Sequence, residues 1–194
     1  MVEGGSSKDF KYTKSFAYGD AQGFQKLMDI LVPATAAYLI KQADHGAQAL
    51  QIFDSWSGVL PPDQFEKWVI APTRELTRLI RAAHPDIPLI GFPKGAGLLY
   101  KGYAEKTGIS VLAFDQTLPL EYVRDELQTQ MPVQGALDNG LLLTGGAPML
   151  KAAEKIIETL SGRPFIFNLG HGVIKETPPE HVAELSKFIK SVKL

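Results

Sequence analysis

Phe165-Ile166-Phe167-Asn168-Leu169-Gly170-His171-Gly172-Val173 is the stretch on which the reading of this 194-residue chain turns. Phe165 to Leu169 is a run of aromatic and branched residues and reads as a short buried strand. Asn168 interrupts the run and needs a partner if it is buried. Gly170 and Gly172 flank His171, and glycine lets a backbone turn sharply and a ligand come close. The imidazole is therefore expected at the C-terminal end of a strand.

Four earlier runs end in the same style, each giving way to glycine or a polar residue: 47–53, 88–92, 110–114 and 133–137. Within the last of these, Gly135 predicts a bulge or a close backbone approach. Helical patterns separate the runs. One covers roughly 21–43, with Asp20 as N-cap, Phe24, Leu27, Ile30 and Leu31 on one face, and Pro33 expected to kink or divide it. Others cover roughly 63–83, 97–107, 119–129 and 148–161. Asp63 with Glu66 fits a capping box, Pro72 suggests a break, and Gly108 suits a C-terminal cap. Thr177-Pro178-Pro179-Glu180 reads as a second capping box opening the last helix, whose buried stripe is Val182, Leu185 and Ile189. Residues 1–19 are polar, with Gly4-Gly5-Ser6-Ser7 near the start.

Strand and helix thus alternate five times, the signature of an α/β fold with parallel strands and right-handed crossovers. In such folds ligands bind at the carboxyl ends of the strands. Ser55, Lys94, Asp115, Asp138 and His171 all follow strands, so one face is expected to hold one site.

The composition narrows the class. A hydrophobic share of 45% is that of a globular core, so residues 1–194 are expected to form a single domain. A net charge of −1 gives no general attraction to nucleic acid or to an anionic membrane. No apolar run reaches the ~18 residues of a membrane span, and residues 1–11 lack a signal-peptide core. With no cysteine, disulfides, thiolate zinc sites and cysteine nucleophiles are excluded together. No metal site is expected, since the histidines lack i, i+4 pairing and there are no thiolates, and the cytoplasm is the expected compartment.

Each candidate group has a functional and a plain structural reading. His171 could bind or protonate a ligand near neutral pH, or make one structural hydrogen bond; its two glycines after a strand favour function. His45, His84 and His181 read as surface residues. Ser55 lies in Phe-Asp-Ser-Trp-Ser-Gly, which is not a nucleophile elbow, so it would donate to a substrate carboxylate or satisfy loop backbone. Asp115 and Asp138 could be paired acids, but a strand-end aspartate more often caps the following loop or helix. Gly95-Ala96-Gly97, with Asp115 further on, is half a dinucleotide fingerprint; Tyr100 stands where its third glycine belongs.

Several motifs together resemble the uroporphyrinogen decarboxylase family. Val2-Glu3-Gly4-Gly5-Ser6-Ser7-Lys8 is similar to a glycine-pair segment of that family. Gly46–Ser55 (GAQALQIFDS) is similar to its strand ending in the substrate-binding serine. Gln134-Gly135-Ala136-Leu137-Asp138 and Asn168-Leu169-Gly170-His171-Gly172 are similar to two further motifs. The resemblance implies the C-terminal five βα units of a (β/α)8 TIM barrel. It implies Ser55 and His171 as contacts of uroporphyrinogen or coproporphyrinogen, with Phe53 as a pocket wall. The chemistry it implies needs no cofactor. A pyrrole carbon is protonated, the ring accepts electrons, an acetate arm leaves as carbon dioxide, and a second proton leaves a methyl group. The family's pyrrole-binding aspartate, its arginines and a pocket tyrosine belong to segments before the matched stretch. The chain is therefore expected to be truncated and inactive alone, and to act as a homodimer or with an N-terminal half of the same enzyme. The alternatives are a non-catalytic tetrapyrrole-binding or scaffolding domain and, from Gly95 and Gly97, a nucleotide-binding domain.

Overall fold

Parallel pairing organises the molecule. In the computed structural model, which describes residues 2–192, five strands lie in one sheet: β1 (Leu50–Asp54), β2 (Leu89–Pro93), β3 (Val111–Ala113), β4 (Val133–Leu137) and β5 (Phe165–Leu169). Each pairs in parallel with its neighbours in chain order, β1-β2-β3-β4-β5. A doubly wound nucleotide-binding sheet reverses its order at a switch point. This sheet has no reversal, and sequential order is the order of a barrel.

Helices fill the connections: α1 (Lys11–Gly19), α2 (Ala21–Asp44), α3 (Pro62–Phe65), α4 (Ala71–Ala83), α5 (Leu99–Thr107), α6 (Leu120–Tyr122), α7 (Asn139–Thr144), α8 (Gly146–Leu160) and α9 (Pro179–Ser191). They cover one face of the sheet only. Leu50 and Leu89 pack with Ala36 and Leu39 of α2 and with Leu76 and Ile80 of α4. Leu112, Val133 and Leu137 pack with Tyr100 and Tyr103 of α5 and with Met149, Ala153 and Leu160 of α8. Strand side chains alternate between faces, so the opposite face carries Gln51, Phe53, Phe92, Ala113, Gln134 and Asn168, which line a shared cavity.

That face is concave. Gln134 Nε2 donates to Gln51 Oε1 at 3.2 Å, although two strands separate theirs. Three inter-strand steps of ~4.8 Å would hold them ~14 Å apart along a flat sheet. The sheet therefore curves as an arc of a barrel, helices outside. No described helix is long and apolar enough to cross a membrane.

Several local expectations need correction. Residues 1–19 contain α1, which is held by Thr13 N–H donating to Glu3 at 2.8 Å. Pro33 does not divide α2, which runs unbroken through it. Pro72 does not break its helix either; a π-helical turn over Glu66–Ile70 precedes it and shifts the hydrogen-bond register. Neither capping box forms. The N-caps are Pro61 and Pro178, both extended at ψ 162° and 131°. A proline follows each and disfavours helical backbone at the residue before it, so the boundary falls on the proline pair rather than on Asp63 or Thr177. Ile30 is exposed, as is Val182 on α9. β5 is only half-buried: Phe165, Phe167 and Leu169 meet the core, whereas Ile166 and Asn168 are exposed, because β5 has a single neighbour.

Candidate functional site

At the carboxyl ends of the strands lies a cavity of about 390 Å³. It is bounded by Phe53 and Ser55 from the end of β1, Phe92 from β2, and His171 from the loop after β5. Ser55, His171 and Phe53, the three site residues expected from the sequence, therefore share one cavity although the whole sheet lies between their positions in the chain. Phe53 is 66% exposed and stands edge-on to Phe92, ring centroids 6.1 Å apart. Exposure of that size on an aromatic ring leaves a broad apolar surface facing the opening.

The two serines of Asp54-Ser55-Trp56-Ser57 divide the roles. Ser57 is buried, and its hydroxyl donates to the carbonyls of Lys94 (3.1 Å) and Asp54 (3.3 Å). Backbone satisfaction thus falls to Ser57, and the Ser55 hydroxyl has no partner among the described residues. Asp54 points to the opposite face of the strand. Burial pushes its carboxyl up, against the hydrogen bonds from the Trp56 and Ser57 backbone.

Gly170 is buried because its Cα sits against the backbone of Gln116, in the loop after β3. A Cβ there would lie 2.6 Å from Gln116 N. Gly172 faces open space. The need for glycine beside His171 is thus one-sided, and it comes from close packing rather than from a sharp turn. Gly170→Ala is expected to push the His171 loop off the β3 end, lowering stability by about 2 kcal/mol. Gly172→Ala is expected to be near neutral. Urea denaturation of the two variants checks the contrast.

Burial, and secondly the Lys94 ammonium, hold the His171 imidazole below its usual range, while the Asp115 carboxylate pulls it upward. His171 is therefore mostly neutral at pH 7. Lys94 forms no ion pair among the described residues, and no carboxylate is among the residues lining the cavity. The lining thus sets no like charge against a carboxylate ligand.

Asp115 is not a free acid. It is 1% exposed and accepts from Gly95 N (2.5 Å), Tyr100 Oη (2.8 Å), Thr117 N (2.9 Å) and Thr117 Oγ1 (2.5 Å). Burial raises its carboxyl, yet the hydrogen bonds together outweigh it and the net shift is down. Burial, then the Asp115 charge, drives the Tyr100 phenol up. Asp138 caps α7 by accepting from Gly140 N at 2.8 Å. Both aspartates are structural, and Asp115 already holds the Gly95 N–H that a nucleotide phosphate would need. His181 is not a plain surface residue: its ring packs on Gly145, and Nδ1 lies 3.0 Å from Leu142 O. His84 pairs with Asp44 at 2.9 Å.

Gln51 and Gln134 were not singled out by sequence. The signal was available for Gln51: it lies two residues before Phe53 and four before Ser55, on the same strand face.

Residues 1–192 match the uroporphyrinogen decarboxylase (URO-D) family. The chain is similar to proteins named uroporphyrinogen decarboxylase from Rhodospirillum rubrum (47% identical over 98% of this chain and 55% of that protein) and Gluconacetobacter diazotrophicus (47%, 99% and 54%). A third, from Chelativorans sp., is 43% identical over 100% of this chain and 56% of its own length. The chain thus spans about 55% of the length of the curated relatives it matches.

Proposed function

The chain belongs to the uroporphyrinogen decarboxylase family, and on that premise we propose that it forms, as one domain, five βα units of an enzyme converting uroporphyrinogen III to coproporphyrinogen III in the cytoplasm. Ser55 and His171 meet carboxylate arms of the tetrapyrrole, and Phe53 is an apolar wall beside a pyrrole ring. The chain acts as a homodimer or with a polypeptide that supplies the remaining strands and completes the barrel. The observation that carries the reading is the convergence of these three side chains on one cavity that no carboxylate lines.

The residues divide the task. The unpartnered Ser55 hydroxyl donates to a carboxylate oxygen. Neutral His171 donates through one ring N–H, and on acidification it gains a charge that adds to that of Lys94. Because its folded pKa lies below the ordinary imidazole value, the gain comes on the acid side of that value.

Titration with coproporphyrin, followed by tryptophan fluorescence, tests this. Affinity is expected to rise roughly threefold to tenfold between about pH 7.5 and 5.5, the effect of one added, partly screened charge. His171→Gln should flatten that rise. An identical pH profile in wild type and variant would remove His171 from the site.

A second reading rests on the same lining. The lining holds no carboxylate to accept pyrrole N–H groups and stabilise a cationic ring, and no arginine to meet the substrate's carboxylate arms. A non-catalytic tetrapyrrole-binding or scaffolding domain would bind coproporphyrin yet show no turnover however the barrel is completed.

A further inference from the structure

Two carboxamides in the cavity spend their oxygens inside the protein. Asn168 Oδ1 accepts the Leu169 backbone N–H at 2.8 Å, and Gln51 Oε1 accepts from Gln134 Nε2 at 3.2 Å. The first bond fixes the Asn168 orientation, because only an oxygen can accept from a backbone N–H. With each oxygen turned to a protein donor, the polar group that each side chain has free of any partner is its NH2. Neither nitrogen has a hydrogen-bond partner among the described residues, and both side chains line the cavity with Ser55 and His171. Asn168 is exposed although its strand packs on the core, since Phe167 and Leu169 on either side of it turn the other way.

We propose that Asn168 and Gln51 are further specificity-determining residues, whose free amide N–H groups donate to a carboxylate arm of the ligand in the cavity that both line. The inference deepens the proposed function and rests on it. A neutral amide suits this place. It provides a donor to an anion without the desolvation cost of a buried ammonium. It also selects for acceptors: a methyl ester, which lacks the full negative charge, forms the weaker bond.

The isosteric acids separate this role from a structural one. Asn168→Asp keeps the oxygen that holds the Leu169 N–H, and Gln51→Glu keeps the oxygen that holds Gln134. Each replaces only the free NH2 by a carboxylate oxygen. The 194-residue chain is titrated with coproporphyrin and with its tetramethyl ester, wild type and both variants, at pH 7.5. Thermal unfolding is recorded alongside. The expected result is that wild type prefers the free acid, that each variant weakens free-acid binding about tenfold or more, and that the ester is affected far less. Melting temperatures should stay within a few degrees of wild type. Free-acid affinity unchanged in both variants would overturn the inference while leaving the tetrapyrrole reading intact. No wild-type binding to either porphyrin would overturn that reading, and the inference with it. Equal losses for acid and ester would mark the residues as structural and also overturn it.

Discussion

Asp115→Asn is expected to lower folding stability by about 2 kcal/mol, a fall in Tm of roughly 4–8 °C for a chain of this size. Four donors converge on the two carboxylate oxygens. Oδ2 accepts from Gly95 N and Tyr100 Oη, and Oδ1 accepts from Thr117 N and Thr117 Oγ1. Whichever way an asparagine is placed, its NH2 faces one backbone N–H, which loses its acceptor, and one hydroxyl, which must turn from donor to acceptor. The loss of that acceptor and of the charge-assisted bonds costs about 1–3 kcal/mol in all. Against a total stability of about 5–15 kcal/mol, that is a large share.

The same carboxylate gives the variant a pH signature. Its folded pKa is below the unfolded value of ~3.9, with burial opposing the shift and the four hydrogen bonds outweighing it. Between the two pKa values the unfolded chain binds more protons, so stability rises with pH there. The contribution is present above the unfolded pKa and is lost as pH falls through the folded one. Wild type should lose stability on acidification toward pH 3 more steeply than Asp115→Asn. Parallel acid limbs in urea unfolding would show that Asp115 is not the group responsible. The consequence reaches the site: Gly95 adjoins Lys94, whose backbone N–H bonds Asp54 O at 2.9 Å, so this network holds the β2 loop against the loop that follows β1.

How much of this was legible depended on how local the cause was. β4 and β5 fall where their branched and aromatic runs put them, at 133–137 and 165–169. Asp20 caps α2 through Gly23 N, and Gly108 ends α5 in the left-handed region. Each of these needs only neighbouring residues. Gly135 was legible as a close approach, though only the fold reveals that a Cβ there would sit 2.6 Å from Phe114 O. The capping boxes failed because the rule for a residue before proline outranked the rule for a helix start. β5 was misjudged as buried because burial depends on neighbours, and a run of apolar residues does not say how many strands flank it. Of the residues that share the cavity, Ser55 and His171 stood out by their place after strands and by family likeness, and Phe53 by family likeness alone. Gln51 escaped notice and Asn168 stood out only as a polar break in its strand, because the significance of both lies in which atom of each amide is already used, and a sequence carries no record of that.

The 194-residue chain alone is expected to self-associate at micromolar concentration and to show no measurable decarboxylation of uroporphyrinogen. β1 and β5 each pair with one strand, so the sheet has two unpaired edges, and such edges are templates for further pairing. Beside them lie apolar groups with no cover: Ile166 on β5, 43% exposed, and on α2 Ile30 and Tyr38, 68% and 67% exposed. A helix with apolar residues on a second face is one that expects another neighbour. The family resemblance puts the pyrrole-binding aspartate and the arginines in the portion of the relatives that this chain does not cover. Loss of even one group stabilising a transition-state charge costs about 10²–10³ in rate. Supplying the uncovered portion of the Rhodospirillum rubrum relative as a second polypeptide should therefore do two things at once. It should convert the self-associated material into a defined complex in sedimentation, and it should raise decarboxylation at least about 10³-fold over the chain alone. A monodisperse monomer of the lone chain would refute the edge argument. Turnover by that monomer at ordinary enzyme rates would show that the cavity described here carries the chemistry without help, and His171 would then have to act on the ring rather than on its arms.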